Sequence, residues 1–180
     1  MMSQTENLKV IAIDPGVHTG YCQAVIMEGK LHYVTYQQTD EVDELWRRLD
    51  FLKPRYIICE DFDFRGGHQR AATGLNYFPI QLIGVARLYA ELAHHQCACI
   101  LQKASQGKGY YTNNVMKQIG HLPRGRATHV HHGLDAQRHL FQWFTFGPGY
   151  RLNTTMGGKG TSGDFAVDYG ELAEWLKKFR

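Results

Sequence analysis

The patterned part of the chain begins with an apolar run, Val10 to Ile13, that breaks off at Asp14, Pro15 and Gly16. Continuous apolarity over so few residues, bounded by a turn signal, predicts a strand over 8–14. A second strand is predicted over 20–28. "KLHYVTYQ" alternates apolar and polar positions as a third, joined to the second by a hairpin at Gly29 and Lys30. The period then changes. In "TDEVDELWRRLDFL", Val42, Leu45, Trp46, Leu49 and Leu52 recur at helical spacing, with Thr39 or Asp40 as the N-cap and Pro54 as the stop. "RYIICE" is a short, nearly all-apolar strand that ends, like the first, on a carboxylate, Glu60.

Beyond it, "DFDFRGGHQRAATGLNY" is polar and glycine-bearing and reads as a loop, with Asp61 and Asp63 solvated in it. In "PIQLIGVARLYAELAHH", Ile80, Leu82, Ile83, Val85, Leu88 and Leu92 cover more of the circumference than one core-facing stripe needs, predicting a helix that buries two faces. "CACILQ" predicts a strand, "TNNVMKQIG" a short helix, and "HVHHGLDAQRHLFQWF" a longer helix starting near Thr128. Strands that precede and alternate with helices predict an α/β domain on a mixed sheet over 1–146. Residues 147–180 read as a glycine-rich tail. It closes on a short amphipathic helix, "GELAEWLKKF", with Leu172, Trp175, Leu176 and Phe179 on one face.

A chain of 180 residues suits one domain with a real core. No stretch approaches the ~18 uncharged apolar residues of a membrane span, and "MMSQTENLK" lacks the apolar segment of a signal peptide. The expectation is a soluble cytoplasmic protein with no membrane partner. Cys22, Cys59, Cys97 and Cys99 lie mostly in apolar runs and read as reduced core thiols rather than a zinc site. Net charge is only +3, yet between Leu101 and Gly163 eight Lys or Arg accompany a single acid, Asp135. Such a field suits a polyanion.

An Asp before Pro-Gly is, alone, an ordinary turn residue. Its company changes that. Asp14 and Glu60 end neighbouring apolar strands, and on the long helix His132, Asp135 and His139 share a face by the i, i+3, i+4 rule. Three acids converging at one sheet edge repel one another unless a cation joins them. Carboxylate oxygens are the ligands Mg²⁺ or Mn²⁺ prefers, and two such ions about 4 Å apart clamp a phosphodiester for in-line hydrolysis.

"IAIDPGVHTG", "YIICEDF" and "HHGLDAQRHL", in that order, resemble the three active-site segments of the RuvC-type Holliday junction resolvases of the RNase H-like superfamily. The match spans roughly Leu8 to Trp143. It implies an RNase H-like α/β fold with a mixed five-stranded sheet, a homodimer, two Mg²⁺ or Mn²⁺ ions per site, and nicking of branched DNA. Carried over by position, Asp14, Glu60 and Asp135 match the metal-binding acids. His132 falls where many members carry a fourth acid and others a histidine, and so reads as a ligand or a proton carrier for the attacking water; imidazole there favours Mn²⁺ over Mg²⁺. The family often places an aromatic at the third position after the glutamate; this chain instead has Phe62 and Phe64 as candidates for work at the junction centre. Lys108 and Lys117 lie in the stretch matching the family's DNA-facing region and, with Arg138, are candidate phosphate contacts, the alternative being solvated side chains. Tyr110 and Tyr111 are candidates for base stacking. The helix from Ile80 to Leu92 is the expected dimer surface, and the small size and divergent loops fit a bacteriophage-encoded relative.

Three other readings compete. A related nuclease could act on flaps, RNA or packaged viral DNA. An actin-like or sugar-kinase-like phosphotransferase also uses an Asp-x-Gly loop after a strand, but needs a second phosphate loop that the sequence lacks. A DNA-binding module without catalysis has no need of all three acids.

Overall fold

The computed structural model describes residues 7–28, 30–61, 77–93, 96–121 and 132–146. Leu8–Asp14 forms the central strand β1 of a five-stranded sheet. Its antiparallel neighbour β2 (Thr19–Met27) pairs in turn with antiparallel β3 (Lys30–Thr39). On the other side β1 pairs in parallel with β4 (Tyr56–Asp61), and β4 in parallel with β5 (Ala98–Lys103). The order β3-β2-β1-β4-β5 is therefore mixed, with a hairpin half and a crossover half.

The apolar runs are explained by helices on both faces. Ile11, Ile13, Ile57 and Cys59 pack with Leu45 and Leu49 of α1 (Val42–Leu52) and Leu82, Ile83 and Ala86 of α2 (Phe78–Leu92). On the opposite face Val10, Ala12, Cys22, Ala24 and Ile58 pack with Leu134, Leu140, Phe141 and Trp143 of α5 (His132–Phe146). Two short helices, α3 (Ala104–Tyr110) and α4 (Asn113–Gln118), connect β5 toward α5, and Tyr111 and Met116 belong to the core under α5. The two-faced pattern of α2 resolves into a buried side, Pro79, Leu82, Ile83 and Ala86, and an exposed stripe of Ile80, Leu88 and Leu92.

Some elements differ from expectation. β3 runs on to Thr39, which pairs with Thr19, so neither Thr39 nor Asp40 is the cap of α1. Glu41 takes that position, its N–H donating 3.2 Å to Thr39 Oγ1. β4 includes Asp61, which is registered with Lys103 and so is a strand residue rather than part of a solvated loop. α3 was not legible, because "ASQGKGY" carries two glycines; the Gln106 side chain accepts the Lys103 N–H at 2.7 Å and starts the helix locally. All four cysteines are free, and burial pushes the thiols of Cys22, Cys59, Cys97 and Cys99 up, which keeps them protonated and inert. The loop with Asp63, Phe62 and Phe64, the start of the long helix before His132, and residues 147–180 with their expected terminal helix lie outside the described residues. Among those described, no helix is long and apolar enough to cross a membrane.

Candidate active site

Strand alternation decides where the acids point. Val10 and Ala12 face α5, so Asp14 does too; Ile58 faces α5, so Glu60 does too, and Asp61 points the other way. Register then aligns them. Asp14 pairs with Gly20, the β1 to β4 register ends at Ile13 and Cys59, one residue short of Asp14 and Glu60, and Glu60 pairs with Gln102. The α5 face of the sheet thus carries a row across four strands: Gly20, Asp14, Glu60, Gln102.

The helix above meets that row with His132, Asp135, His139 and Gln142. Gly20 makes the approach possible: a Cβ there would stand 2.0 Å from both the carbonyl carbon and oxygen of His132 and 2.5 Å from Gly133 N. Only a residue without a side chain lets the start of α5 rest on β2. His132 Nδ1 lies 2.8 Å from Asp14 Oδ2. His139 Nε2 lies 2.8 Å from Glu60 Oε2, and its Nδ1 2.8 Å from Gln102 Oε1. Asp135 Oδ1 is bonded by Arg138 Nη1, and Arg138 Nη2 also donates to Asn113 Oδ1.

From α3, Lys108 reaches into the same place. Its Nζ stands 3.1 Å from Asp135 Oδ2 and 3.7 Å from Glu60 Oε2. Burial pulls this lysine down, but the charges of Glu60, Asp135 and Asp14 outweigh it and raise its pKa above the usual lysine range. Asp14 behaves as a carboxylic acid. Burial, then the charge of Glu60 and a hydrogen bond to it, raise its pKa to about 8, against a smaller opposing pull from Lys108. Burial also pushes Glu60 up, but the hydrogen bond and charge of His139, with help from Asp14 and Lys108, bring it below its ordinary value. Together these shifts favour a single proton held between the two carboxylates.

Among the described residues no three Asp, Glu, His or Cys side chains already surround a common point as a metal would require. The donor chemistry nevertheless fits a divalent cation. Asp14 and Glu60 sit within hydrogen-bonding reach of one another, and Lys108 stands as a positive charge between Glu60 and Asp135. Oxygen donors from Asp14, Glu60 and Asp135, with the His132 imidazole beside Asp14, make the set that Mg²⁺ or Mn²⁺ takes.

Other candidates fare differently. Lys117 is exposed on α4. Tyr110 is half exposed, edge-on to Phe146 at 4.6 Å between ring centroids. Tyr111 is a correction: it is 1 % exposed, its hydroxyl bonded to Thr145 Oγ1 at 2.7 Å and its ring edge-on to Phe141, so it is a core residue and offers no face to a base. Arg138 is likewise engaged, only 13 % of its side chain being exposed while it holds Asp135 and Asn113; it is a partner of the site's own acid rather than a free phosphate contact. Phe62 and Phe64 lie outside the described residues. Sequence reasoning assigned no part to His139, Gln102, Gly20 or Gly107. For His139 the signal was present, four residues after Asp135 on one helical face; Gln102 is a polar residue at an inward strand position.

No family model and no curated protein matches the chain. Solved structures do. Thermus thermophilus RuvC in complex with a Holliday junction substrate is 21 % identical with a TM-score of 0.53, over 83 % of this chain and 96 % of that one. A second Thermus thermophilus RuvC structure gives 17 % and 0.51, over 84 % and 98 %. The yeast mitochondrial Holliday junction resolvase gives 14 % and 0.50, over 95 % and 84 %. At these identities the likeness establishes the fold: a mixed five-stranded sheet with flanking helices, RNase H-like, of the kind found in RuvC-type resolvases.

Proposed function

We propose that this chain is a divalent-metal endonuclease that nicks Holliday junctions or other branched DNA. The observation that carries the reading is the row of Asp14 and Glu60 facing Asp135, buried and half-buried acids with the Lys108 ammonium 3.1 Å from Asp135 Oδ2 and 3.7 Å from Glu60 Oε2. Such an arrangement is costly as pure structure and suits a divalent cation. It sits on the fold of proteins solved as Holliday junction resolvases, one of them with its junction substrate.

In this reading Asp14, Glu60 and Asp135 would hold two Mg²⁺ or Mn²⁺ ions, which would supply Lewis acidity at the scissile phosphate and lower the pKa of the attacking water so that it gives up its proton. Arg138 holds Asp135 by Oδ1 and leaves Oδ2 facing the site. His132, bonded to Asp14, adds a nitrogen donor or takes the proton of the attacking water. Lys108, displaced from the carboxylates, is free to meet a phosphate, with Lys117 and Tyr110 as outlying contacts. The exposed stripe Ile80, Leu88 and Leu92 on α2 supports a homodimer, which brings two sites to paired strands.

The test is cleavage of strand-labelled junction, flap, duplex and RNA substrates with Mg²⁺, Mn²⁺ or chelator. Metal-dependent, paired nicks in the junction are expected. His132→Ala is expected to weaken cleavage more than junction binding, and His132→Asp to shift use toward Mg²⁺. Absence of metal-dependent cleavage on every branched substrate refutes the nuclease; a preference for flaps or RNA moves the substrate but keeps the chemistry.

A further inference from the structure

His139 is fully buried on α5, a position that an apolar residue ordinarily fills. Instead both its ring nitrogens are used, at 2.8 Å each, on adjacent strands: Nε2 on Glu60 of β4 and Nδ1 on Gln102 of β5, two residues that are register partners. Gln102 Nε2 in turn donates to Gln142 Oε1 at 2.8 Å, back on α5 one turn further along. Either glutamine can present either end of its amide, so the chain of bonds suits a ring that donates to Glu60 through Nε2. The ring is also clamped from above. A Cβ on Gly107 would stand 2.9 Å from its Cε1 and Nδ1 and 3.0 Å from Cδ2, so α3 lies flat on the imidazole only because residue 107 has no side chain.

We infer that His139 is the positioning residue of the metal site, a buried imidazole that fixes the Glu60 carboxylate for the ion, itself fixed by Gln102, Gln142 and Gly107. The inference rests on the metal-nuclease reading above. Glu60 is the acid that most needs such help, because its side chain has a torsion more than that of Asp14 or Asp135 and would otherwise follow Lys108 or its neighbour Asp14. A partner behind a ligating carboxylate orients it and raises metal affinity, and removal of such a partner lowers affinity by about 10- to 100-fold. The same clamp places Lys108, the residue after Gly107, over the carboxylates. One buried ring thereby sets the ligand on the sheet and the cation above it.

The experiment uses the full chain and Mn²⁺ alone as probe, bound and free ion being separated by electron paramagnetic resonance. His139→Leu removes the donor at similar size; His139→Gln restores an N–H donor at about the reach of Nε2. Expected is a loss of about tenfold or more in Mn²⁺ affinity for His139→Leu, largely recovered in His139→Gln. A folded His139→Leu that binds Mn²⁺ as the parent does overturns the inference and leaves the nuclease reading standing. A parent chain that binds no Mn²⁺ overturns both. If His139→Leu does not fold, the parent decides, with ¹⁵N-labelled histidine: the His139 ring nitrogens should carry a proton on Nε2 and shift on Mg²⁺ addition with the midpoint of Mg²⁺-promoted cleavage. A His139 resonance indifferent to Mg²⁺ overturns the assignment.

Discussion

Asp14→Asn separates the chemistry of the acid trio from its cost. The protonated Asp14 donates to Glu60 and is bonded to His132, and an asparagine amide offers the same pattern, one end donating and the other accepting. The fold should be undisturbed near pH 6. Asp14 titrates at about 8 in the folded chain and near 3.8 when unfolded, so the folded state is the better proton binder. Its contribution to stability is fully present below the unfolded value and is lost as pH rises through the folded one. At about 1.4 kcal/mol per unit of separation, the metal-free parent should lose stability on the order of a few kcal/mol between about pH 6 and pH 8.5, and Asp14→Asn should lose none of this. Urea unfolding in chelator at the two pH values measures it, and the variant should be the more stable protein at the higher. Divalent metal should invert the order, since it stabilises only the chain that binds it. Metal binding near pH 7 must expel the Asp14 proton, so apparent affinity and cleavage by the parent should rise with pH and level off above about 8, while Asp14→Asn should lose several orders of magnitude in cleavage. Equal pH slopes for parent and variant, in a folded Asp14→Asn, would refute the shared-proton account of the site.

Two further outcomes follow from contacts. Gly20→Ala places a Cβ 2.0 Å from the His132 carbonyl, backbone that no side-chain rotation relieves; α5 must retreat, at a cost of about 1–3 kcal/mol by chemical unfolding, and cleavage should fall about 100-fold because His132 and Asp135 ride on that helix. A Gly20→Ala protein with parental cleavage would show that the start of α5 does not set the site. Lys108→Met removes the ammonium that stands between Asp135 and Glu60; with that lysine 43 % exposed, the metal-free chain should lose only about 1 kcal/mol, while Mn²⁺ binds more tightly and cleavage declines. Unchanged or weaker Mn²⁺ affinity would show that Lys108 does not compete for the carboxylates.

The sheet was legible in the chain because burial on both faces writes itself as short continuous apolar runs, and the places where those runs stop on Asp14 and Glu60 are visible without coordinates. The face shared by His132, Asp135 and His139 was legible for a similar reason, since helical period is a local property. Local pattern could not say which strands adjoin. Only the order β3-β2-β1-β4-β5 and its register put Gly20, Asp14, Glu60 and Gln102 in one row, by hydrogen bonds between segments far apart in sequence. Close approach was equally invisible: Gly20 looks like an ordinary residue at a strand's start and Gly107 like a loop glycine until α5 is seen resting on one and the His139 ring on the other. Tyr111 and Arg138 differ from expectation for the converse reason. Composition counts an aromatic or a cation as available, whereas packing against Phe141 and Thr145, or bonding to Asp135 and Asn113, consumes it. The sequence determined which side chains could do chemistry; tertiary structure decided which of them meet, because charge and hydrogen bonding act over a few ångströms and sequence distance says little about those.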